Sequence, residues 1–188
     1  MRLGPAACVV MALALVSCGA DYVEQNDASV LLLLNSVNDG KPLASDVRSA
    51  GGSIVNCTTI VSLQTQVKNP NNPGSPVESV ILNRYDVSFT RSDGRAVEGV
   101  DVPYRFSGAL TATVAIGETA QVSIDLVRQQ AKLEPPLSNI TGLQIVDMTA
   151  TVTLYGETVS RKGVSASGAA AIRFADFADG TPTCESGS

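Results

Sequence analysis

The sequence predicts an all-β protein, an antiparallel β-sandwich of about eight strands. Three observations lead to this prediction. Apolar and polar residues alternate with period two over most of the chain, turn residues interrupt the alternation at short intervals, and no segment sustains a helical period. The composition agrees with strands, since Val, Thr, Ser, Ala and Gly are abundant while aromatic residues amount to four Tyr, four Phe and no Trp.

The first strands follow a short polar segment. Residues 30–34 form a continuous apolar run that is too short for a typical helix and precedes the turn residues 38–40, so a buried strand is predicted there. Residues 41–52 have the composition of a loop. In the next strand, alternate residues form one face: Val55, Cys57, Thr59, Val61, Leu63 and Val67. This strand ends at the proline-rich residues 69–76, because proline cannot donate to a strand ladder.

The middle of the chain predicts four more strands. One strand buries Tyr85, Val87 and Phe89, and it ends at Asp93-Gly94, a strong turn signal. The next strand has an apolar face and is expected at an edge because it contains Pro103. That face comprises Val100, Val102, Tyr104 and Phe106. Residues 110–116 and 122–126 alternate on either side of Gly117-Glu118, which predicts a compact hairpin.

The last two strands follow a connection at residues 128–134, which has room for one or two helical turns before Pro135-Pro136. The first of them has two distinct faces. The apolar face comprises Val146, Met148, Ala150, Val152 and Leu154, and the polar face comprises Asp147, Thr149, Thr151, Thr153 and Tyr155. A final strand carries Ala170, Ile172 and Phe174. Such clean alternation predicts antiparallel sheets with one wet face each, in an immunoglobulin-like or fibronectin-like architecture.

The N-terminus carries an export signal. Residues 6–16 form an apolar stretch after the single basic residue Arg2, and this stretch is too short to span a membrane. It closes with Leu15-Val16-Ser17-Cys18-Gly19, which resembles the lipobox of bacterial lipoproteins. The resemblance implies that residues 1–17 are removed and that Cys18 carries a diacylglyceryl group. The alternative is an ordinary signal peptide, with Cys18 an incidental residue near the cleavage site.

These segments predict the domain layout: a signal peptide at residues 1–17, a lipidated tether at 18–28, one sandwich domain at 29–177 and a flexible tail at 178–188. The lipobox resemblance implies a location in the bacterial cell envelope, anchored to a membrane by lipid. Gly19 after the acylated cysteine resembles the sorting signal for the outer membrane in enteric bacteria.

A second resemblance involves the end of a strand. The segment Gln66-Val67-Lys68-Asn69-Pro70-Asn71 precedes a strand with Tyr85 and a turn at Gly94. This pattern resembles late-embryogenesis-abundant-14-type sandwich domains, in which a strand ends in an Asn-Pro pair. The further prolines at positions 73 and 76 depart from that pattern. The resemblance implies a sandwich architecture and no functional residues.

Composition limits the chemistry. The chain contains no histidine, so it lacks the commonest general base and transition-metal ligand. No Ser-x-x-Lys or Gly-x-Ser-x-Gly motif activates a serine, and no pair of carboxylates stands out. The net charge is −5 without a basic cluster, which argues against nucleic-acid binding. We therefore expect a protein that is not an enzyme and has no cofactor or bound metal.

The four cysteines separate into three groups. The lipobox resemblance implies that Cys8 leaves with the signal peptide and that Cys18 takes the lipid, so Cys57 and Cys184 remain. An oxidising compartment permits a disulfide between them. The alternative is a buried free thiol at Cys57, since this residue lies on the apolar face of its strand. Both possibilities stay open at the level of sequence.

The polar row Thr149, Thr151, Thr153 and Tyr155 is the candidate binding face. Its alternative interpretation is a solvated sheet face, since Thr is a good strand former. The leading functional hypothesis is a lipid-anchored envelope sandwich with a structural or protein-interaction role and an envelope protein as partner. The second hypothesis is a module that binds carbohydrate or another small envelope ligand.

Overall fold

The structure is a computed structural model that describes residues 27–48, 54–71, 74–177 and 184–186. The predicted signal peptide, Cys18 and the tether up to residue 26 lie outside the described residues. The described ranges form nine strands and one α-helix. The strands are β1 (Val30–Val37), β2 (Leu43–Asp46), β3 (Cys57–Val67), β4 (Val80–Arg91), β5 (Phe106–Val114), β6 (Thr119–Val127), β7 (Ile145–Thr158), β8 (Gly163–Ala175) and β9 (Cys184–Ser186), and α1 is Gln129–Leu133.

The strands form two sheets that enclose one hydrophobic core. The smaller sheet has the order β1-β3-β6, and the larger has the order β5-β4-β7-β8-β2-β9. The all-β prediction is confirmed. The described residues contain nine strands rather than about eight, and one pair departs from the antiparallel rule. Strands β2 and β8 run parallel, with Leu43 opposite Ile172.

Period-two alternation determines which side chains enter the core. In β7 the predicted apolar residues are all buried, while Thr149 and Thr151 on the opposite face are exposed. The same holds in β4, where Tyr85, Val87 and Phe89 are buried. Each large apolar side chain that is buried in this way contributes roughly 1.5–3 kcal/mol. The longest strands thus combine the strongest sequence pattern with the largest share of the core.

The strand predicted through Val100, Val102, Tyr104 and Phe106 is wrong. Residues 92–105 form a loop, and β5 begins only at Phe106. Val102 is buried, but Val100 is 69% exposed and Tyr104 is 57% exposed. Gly99 lies in the middle of the loop with φ of +74°, a left-handed conformation that ends extended pairing. The apolar spacing therefore belongs to a compact loop. Of Val100, Val102 and Tyr104, Val102 inserts into the core and the other two remain exposed.

The hairpin predicted from residues 110–116 and 122–126 is also wrong. Strand β5 pairs with β4, whereas β6 pairs with β3 in the other sheet. The turn at Gly117 therefore crosses between the sheets. Thr65 of β3 holds this turn, because its carbonyl accepts a hydrogen bond from the Gly117 amide at 3.1 Å and its hydroxyl donates to the Ala115 carbonyl at 2.5 Å. Alternation alone does not distinguish a hairpin from such a crossing.

Two predicted domain boundaries also need correction. Strand β9 lies within the segment assigned to a flexible tail, and it pairs with β2 through Ser45 and Cys184. Strand β2 itself lies within the segment assigned to a loop. At the other end of the domain, Ala28 was placed in the tether but is only 3% exposed. Strands β2 and β9 are short and lack clear alternation. Pairing with their neighbours in the sheet therefore determines these strands, rather than their own sequence.

The sandwich has two ends. The chain enters at the "entry end", where Val30 of β1 lies opposite Val67 and Val80 of β4 lies opposite Thr158. At the "loop end", Arg91 of β4 lies opposite Met148, and Cys57 of β3 lies opposite Val127. Residues 92–105 and 128–144 both leave the sheets at the loop end. In the described part of the chain, no helix is long and apolar enough to cross a membrane.

Candidate functional site

The predicted binding face lies on the outer surface of the larger sheet. Thr149 and Thr151 are exposed, whereas Thr153 and Tyr155 are half-buried by neighbouring strands. The hydroxyl groups of Thr153 and Ser167 lie 2.9 Å apart across the β7–β8 pair. The register therefore brings all four predicted residues onto one face, because alternate residues of a strand point to the same side.

Tyr155 closes this face toward the entry end. The guanidinium of Arg84, on β4, lies 4.1 Å from the centre of the Tyr155 ring and 3.5 Å from the Asp86 carboxylate. Partial burial raises the pKa of Tyr155, and the nearby Asp86 carboxylate raises it further, while Arg84 opposes them. The arrangement presents a cation stacked on an aromatic ring, which holds both side chains in place.

Two open depressions flank the Thr row. The first has a volume of about 300 Å³ and lies beside Thr149, where Ala44 and Ala171 leave room above β2 and β8. The Asp147–Arg173 ion pair, with an N–O distance of 2.8 Å, lines one side of it. The second has a volume of about 410 Å³ and lies beside Arg84 and Tyr155. Both are shallow compared with the enclosed pockets that hold small ligands.

A second surface feature lies at the loop end, and sequence reasoning missed it. Val97, Val100 and Tyr104 are large apolar side chains of the 92–105 loop that remain in water, and Leu143 and Ile145 are exposed where the chain enters β7. The two segments leave the same end of neighbouring strands, since the Ser92 amide donates to the Asp147 carbonyl at 3.1 Å. We call Val97, Val100, Tyr104, Leu143 and Ile145 the apolar tip.

Internal contacts hold the loop that bears the tip. The Gly99 amide donates to the Val102 carbonyl at 2.8 Å, and the Val102 amide donates back to the Val97 carbonyl at 3.2 Å. Arg105 and Glu98 form an ion pair at 2.6 Å. A side-chain carbon at Gly99 would lie 2.4 Å from the Tyr104 hydroxyl, so the ring rests directly on this glycine. The apolar side chains are thus presented by a preorganised loop.

The sequence did carry a signal for this loop. Gly94, Gly99 and Pro103 punctuate residues 92–105 at short intervals, which is unusual for a regular strand. The alternating apolar residues outweighed that signal in the prediction. The exposure of Val100 and Tyr104 could not be obtained from spacing alone, because it depends on how the loop leaves the sheet.

The remaining cysteines form a third feature, inside the loop end. Cys57 and Cys184 are joined by a disulfide, with their Cα atoms 5.4 Å apart. Strand β9 runs back along β2 and so reaches the start of β3, whereas a simple meander would have kept the two cysteines apart. Cys57 is fully buried, and Cys184 is partly exposed.

Polar groups surround the disulfide. The Lys132 ammonium, from α1, lies 3.2 Å from the Cys57 sulfur and 3.8 Å from the Cys184 sulfur. The Ser45 hydroxyl lies 3.2 Å from the Cys57 sulfur. Lys132 is only 1% exposed, and its burial lowers its pKa to about 8, although the Asp46 carboxylate opposes this shift. Asp46 itself accepts hydrogen bonds from the amides of Arg48 and Phe177.

Metal ligands do not cluster in the described ranges. No group of three or more Cys, Asp or Glu residues there could hold a metal ion. The chemical groups that the structure does bring together are therefore the Thr face, the apolar tip and the disulfide with its buried lysine.

No family model matches this chain, and no curated protein matches it. Among solved structures, the chain is similar to the solution structure of a protein assigned to the late embryogenesis abundant (LEA) group, with a TM-score of 0.42 and 10% sequence identity. The similarity covers 83% of this chain and 76% of that chain. A likeness at this level bears on neither a site nor a function.

Proposed function

We propose that this chain is a lipid-anchored protein of the bacterial cell envelope that binds a protein partner through the apolar tip. The observation that carries the proposal is the position of the tip. The five apolar side chains of the tip are exposed at the loop end, opposite the entry end at which the sandwich follows the N-terminal anchor segment. Large apolar side chains exposed together at one end of a domain are typical of interaction surfaces.

The sequence around Cys18 also supports the proposal. Cys18 follows Leu15-Val16-Ser17, and a diacylglyceryl group on its sulfur supplies two acyl chains. Each buried methylene contributes about 0.8 kcal/mol, so two chains hold a protein on a membrane where one chain holds it only briefly. In this proposal the lipid performs the attachment, and the sandwich is free to perform another task.

The length of the sandwich separates the apolar tip from the anchor. Strand β7 has 14 residues and spans about 45 Å at roughly 3.3 Å per residue. The tip therefore lies about that far beyond the point where the chain enters the domain. In this proposal the apolar tip contacts its partner well away from the membrane surface, and the sandwich acts as a spacer.

The composition of the tip favours a protein as the partner. Protein interfaces have apolar cores in which Tyr is enriched, and charged residues are depleted there. Tyr104 packs on Gly99, and Val97 and Val100 lie in the same hydrogen-bonded loop. Because the loop is already ordered, binding loses little conformational entropy on this side of the interface.

Photo-crosslinking in intact cells tests the tip. A photoreactive amino acid is placed at Val100, and the matched control is Val77, a valine that is 51% exposed but belongs to the loop at the entry end. We expect a discrete protein adduct from position 100, its loss when Tyr104→Ser is added, and no such adduct from position 77. Absence of an adduct at position 100, or identical adducts from both positions, would contradict the proposal.

Metabolic labelling tests the anchor separately. Cells that express the wild type are fed a clickable fatty acid, and we expect label on the mature protein and none on Cys18→Ser. Equal labelling of the two proteins, or none of the wild type, would remove the anchor from the proposal.

The Thr face favours a second candidate function, binding of carbohydrate. The Arg84–Tyr155 stack ends a flat row of hydroxyl groups, and an aromatic ring beside hydroxyl groups is a suitable platform for a sugar. A glycan array with the sandwich domain distinguishes the candidates. Carbohydrate binding predicts a signal that Tyr155→Ala abolishes and Tyr104→Ser leaves unchanged, whereas the leading proposal predicts no glycan signal.

A further inference from the structure

The Cys57–Cys184 disulfide has two properties that a crosslink does not require. Its two cysteines differ in exposure, since Cys57 is fully buried and Cys184 is partly exposed. Its buried sulfur also has two donors beside it, the Lys132 ammonium and the Ser45 hydroxyl, each at 3.2 Å. A disulfide that serves only as a crosslink requires neither donor, and a buried ammonium is costly to desolvate.

We propose that this disulfide is a thiol-exchange site, at which a small-molecule thiol forms a mixed disulfide with Cys184 while Cys57 leaves as a thiolate. The attacking thiolate forms a bond with the Cys184 sulfur, the Cys57–Cys184 bond breaks, and its electron pair goes to the Cys57 sulfur. The proton of the attacking thiol goes to solvent. The reverse attack by Cys57 on the mixed disulfide restores the original bond and releases the thiol.

Access determines the direction of attack. An external thiolate approaches Cys184, because it is the partly exposed member of the pair and lies on the short edge strand β9. Cys57 lies inside the sandwich at the start of β3 and has no exposed surface. The geometry therefore assigns Cys184 as the attacked sulfur and Cys57 as the leaving group.

The donors then act on the leaving group. Exchange is faster when the leaving thiol has a lower pKa, and a nearby cation lowers the pKa of a thiol from its ordinary value of about 8.5. Lys132 is placed to do this, since its ammonium is nearer to the Cys57 sulfur than to the Cys184 sulfur. Its pKa of about 8 leaves most of the lysine protonated at pH 7. The Asp46 carboxylate, which acts on Lys132 through its charge, opposes the thiolate because the two carry the same sign.

Exchange also changes what holds β9. In the oxidised protein, β9 is fixed by the disulfide and by pairing with β2 through three residues. After thiolation of Cys184 the covalent link is lost, and β9 keeps its pairing with β2. The modification therefore acts on the edge of the larger sheet, independently of the anchor and of the apolar tip.

Glutathione and peptide mass spectrometry test the assignment. The full-length protein is incubated with reduced glutathione at pH 7, quenched in acid and digested. We expect glutathione on Cys184 and a free thiol at Cys57. Glutathione on Cys57, or reaction only after unfolding in urea, would overturn the proposal. This readout needs no variant, so it holds even if a substitution at Lys132 fails to fold.

The rate of the reaction tests the role of the lysine. We expect the initial rate to fall about tenfold in Lys132→Met, because the leaving thiolate loses its cation. The matched control is Lys162→Met, which removes an exposed lysine at the entry end and is expected to react as the wild type does. Equal rates in Lys132→Met and the wild type, with both proteins unfolding cooperatively, would remove Lys132 from the proposal.

Discussion

Tyr85 shows how one side chain joins the two sheets. It lies buried in β4, and its hydroxyl accepts a hydrogen bond from the Asp125 amide of β6 at 3.2 Å. Its ring meets the Phe106 ring edge to face, with the centres 6.3 Å apart. Alternation predicted that Tyr85 enters the core. It gave no indication that Gly108, its partner on β5, must lack a side chain for the ring to fit.

Replacement of Gly108 tests this fit. A side-chain carbon at Gly108 would lie 2.2 Å from the Tyr85 ring, so Gly108→Ala is expected to reduce the free energy of unfolding by about 1–3 kcal/mol. Gly163→Ala is the matched control in β8, where the added carbon meets nothing within 4 Å. It is expected to raise stability by about 0.5 kcal/mol. Urea denaturation of both variants measures the difference, and equal effects would contradict the fit.

Lys132 makes stability depend on pH. Burial lowers its pKa from 10.5 to about 8. Between these values the unfolded chain retains a proton that the folded protein has lost, so stability rises with pH in this window. The cost of burying the charge is present in full below about pH 8 and is gone above about pH 10.5.

The variant Lys132→Met lacks this titration, so it isolates the effect. We expect the wild type to gain stability relative to Lys132→Met as the pH rises from 8 to 10.5. The raised pKa of Tyr85 acts in both proteins and cancels in the difference. Urea denaturation at several pH values, with the disulfide intact, measures it. A constant difference across this range would show that Lys132 titrates normally in the fold.

At the scale of elements, the sequence predicted the long strands and missed the short ones. Strands β3 and β7 alternate over nine or more residues, while β4 and β8 alternate clearly around residues 84–89 and 170–174, so their inner faces could be assigned from spacing. Strand β2 has four residues and β9 has three, too few for a pattern. The hairpin was predicted wrongly for a different reason. Both β5 and β6 alternate as expected, but the contacts of Thr65 with the Gly117 turn lie outside either strand.

Strand β9 offers a test at this scale. The disulfide closes a segment of 127 residues, so its removal in Cys184→Ser is expected to lower stability by about 2–5 kcal/mol. Thermal unfolding measures the change. Wild-type protein that has been reduced should unfold at the same temperature as the variant, since both lack the crosslink. An unchanged unfolding temperature in either case would mean that the crosslink adds little to the pairing of β9.

At the scale of the whole molecule, the spacing of residues in the sequence predicts the Thr face but does not predict the apolar tip or the disulfide. The Thr face follows from alternation in one strand, because all four residues belong to β7. The apolar tip combines residues of the 92–105 loop with Leu143 and Ile145 at the start of β7, about 40 residues further along the chain, and the register of β4 with β7 brings them to one end. The disulfide likewise depends on the pairing of β9 with β2, two short strands that periodicity does not indicate.

The start of the domain yields a prediction for the whole fold. Ala28 is buried, and the Ser29 carbonyl accepts a hydrogen bond from the Lys68 amide at 2.9 Å. A protein that begins at Asp27 is therefore expected to unfold cooperatively at the same temperature as the full chain. One that begins at Leu31 lacks the buried Ala28 and Val30, and it should lose about 2–4 kcal/mol. Thermal denaturation compares them, and equal temperatures for the two truncated proteins would contradict this boundary.

The position of β2 has a consequence for the order in which the fold is completed. Strand β2 is among the first segments to be synthesised, yet its neighbours in the sheet are β8 and β9, from the far end of the chain. Until residues 163–186 have been made, both edges of β2 lack these partners. The earliest strand of the larger sheet is thus the last to be enclosed, and a chain that stops short of β8 leaves it with two open edges on which another chain can pair.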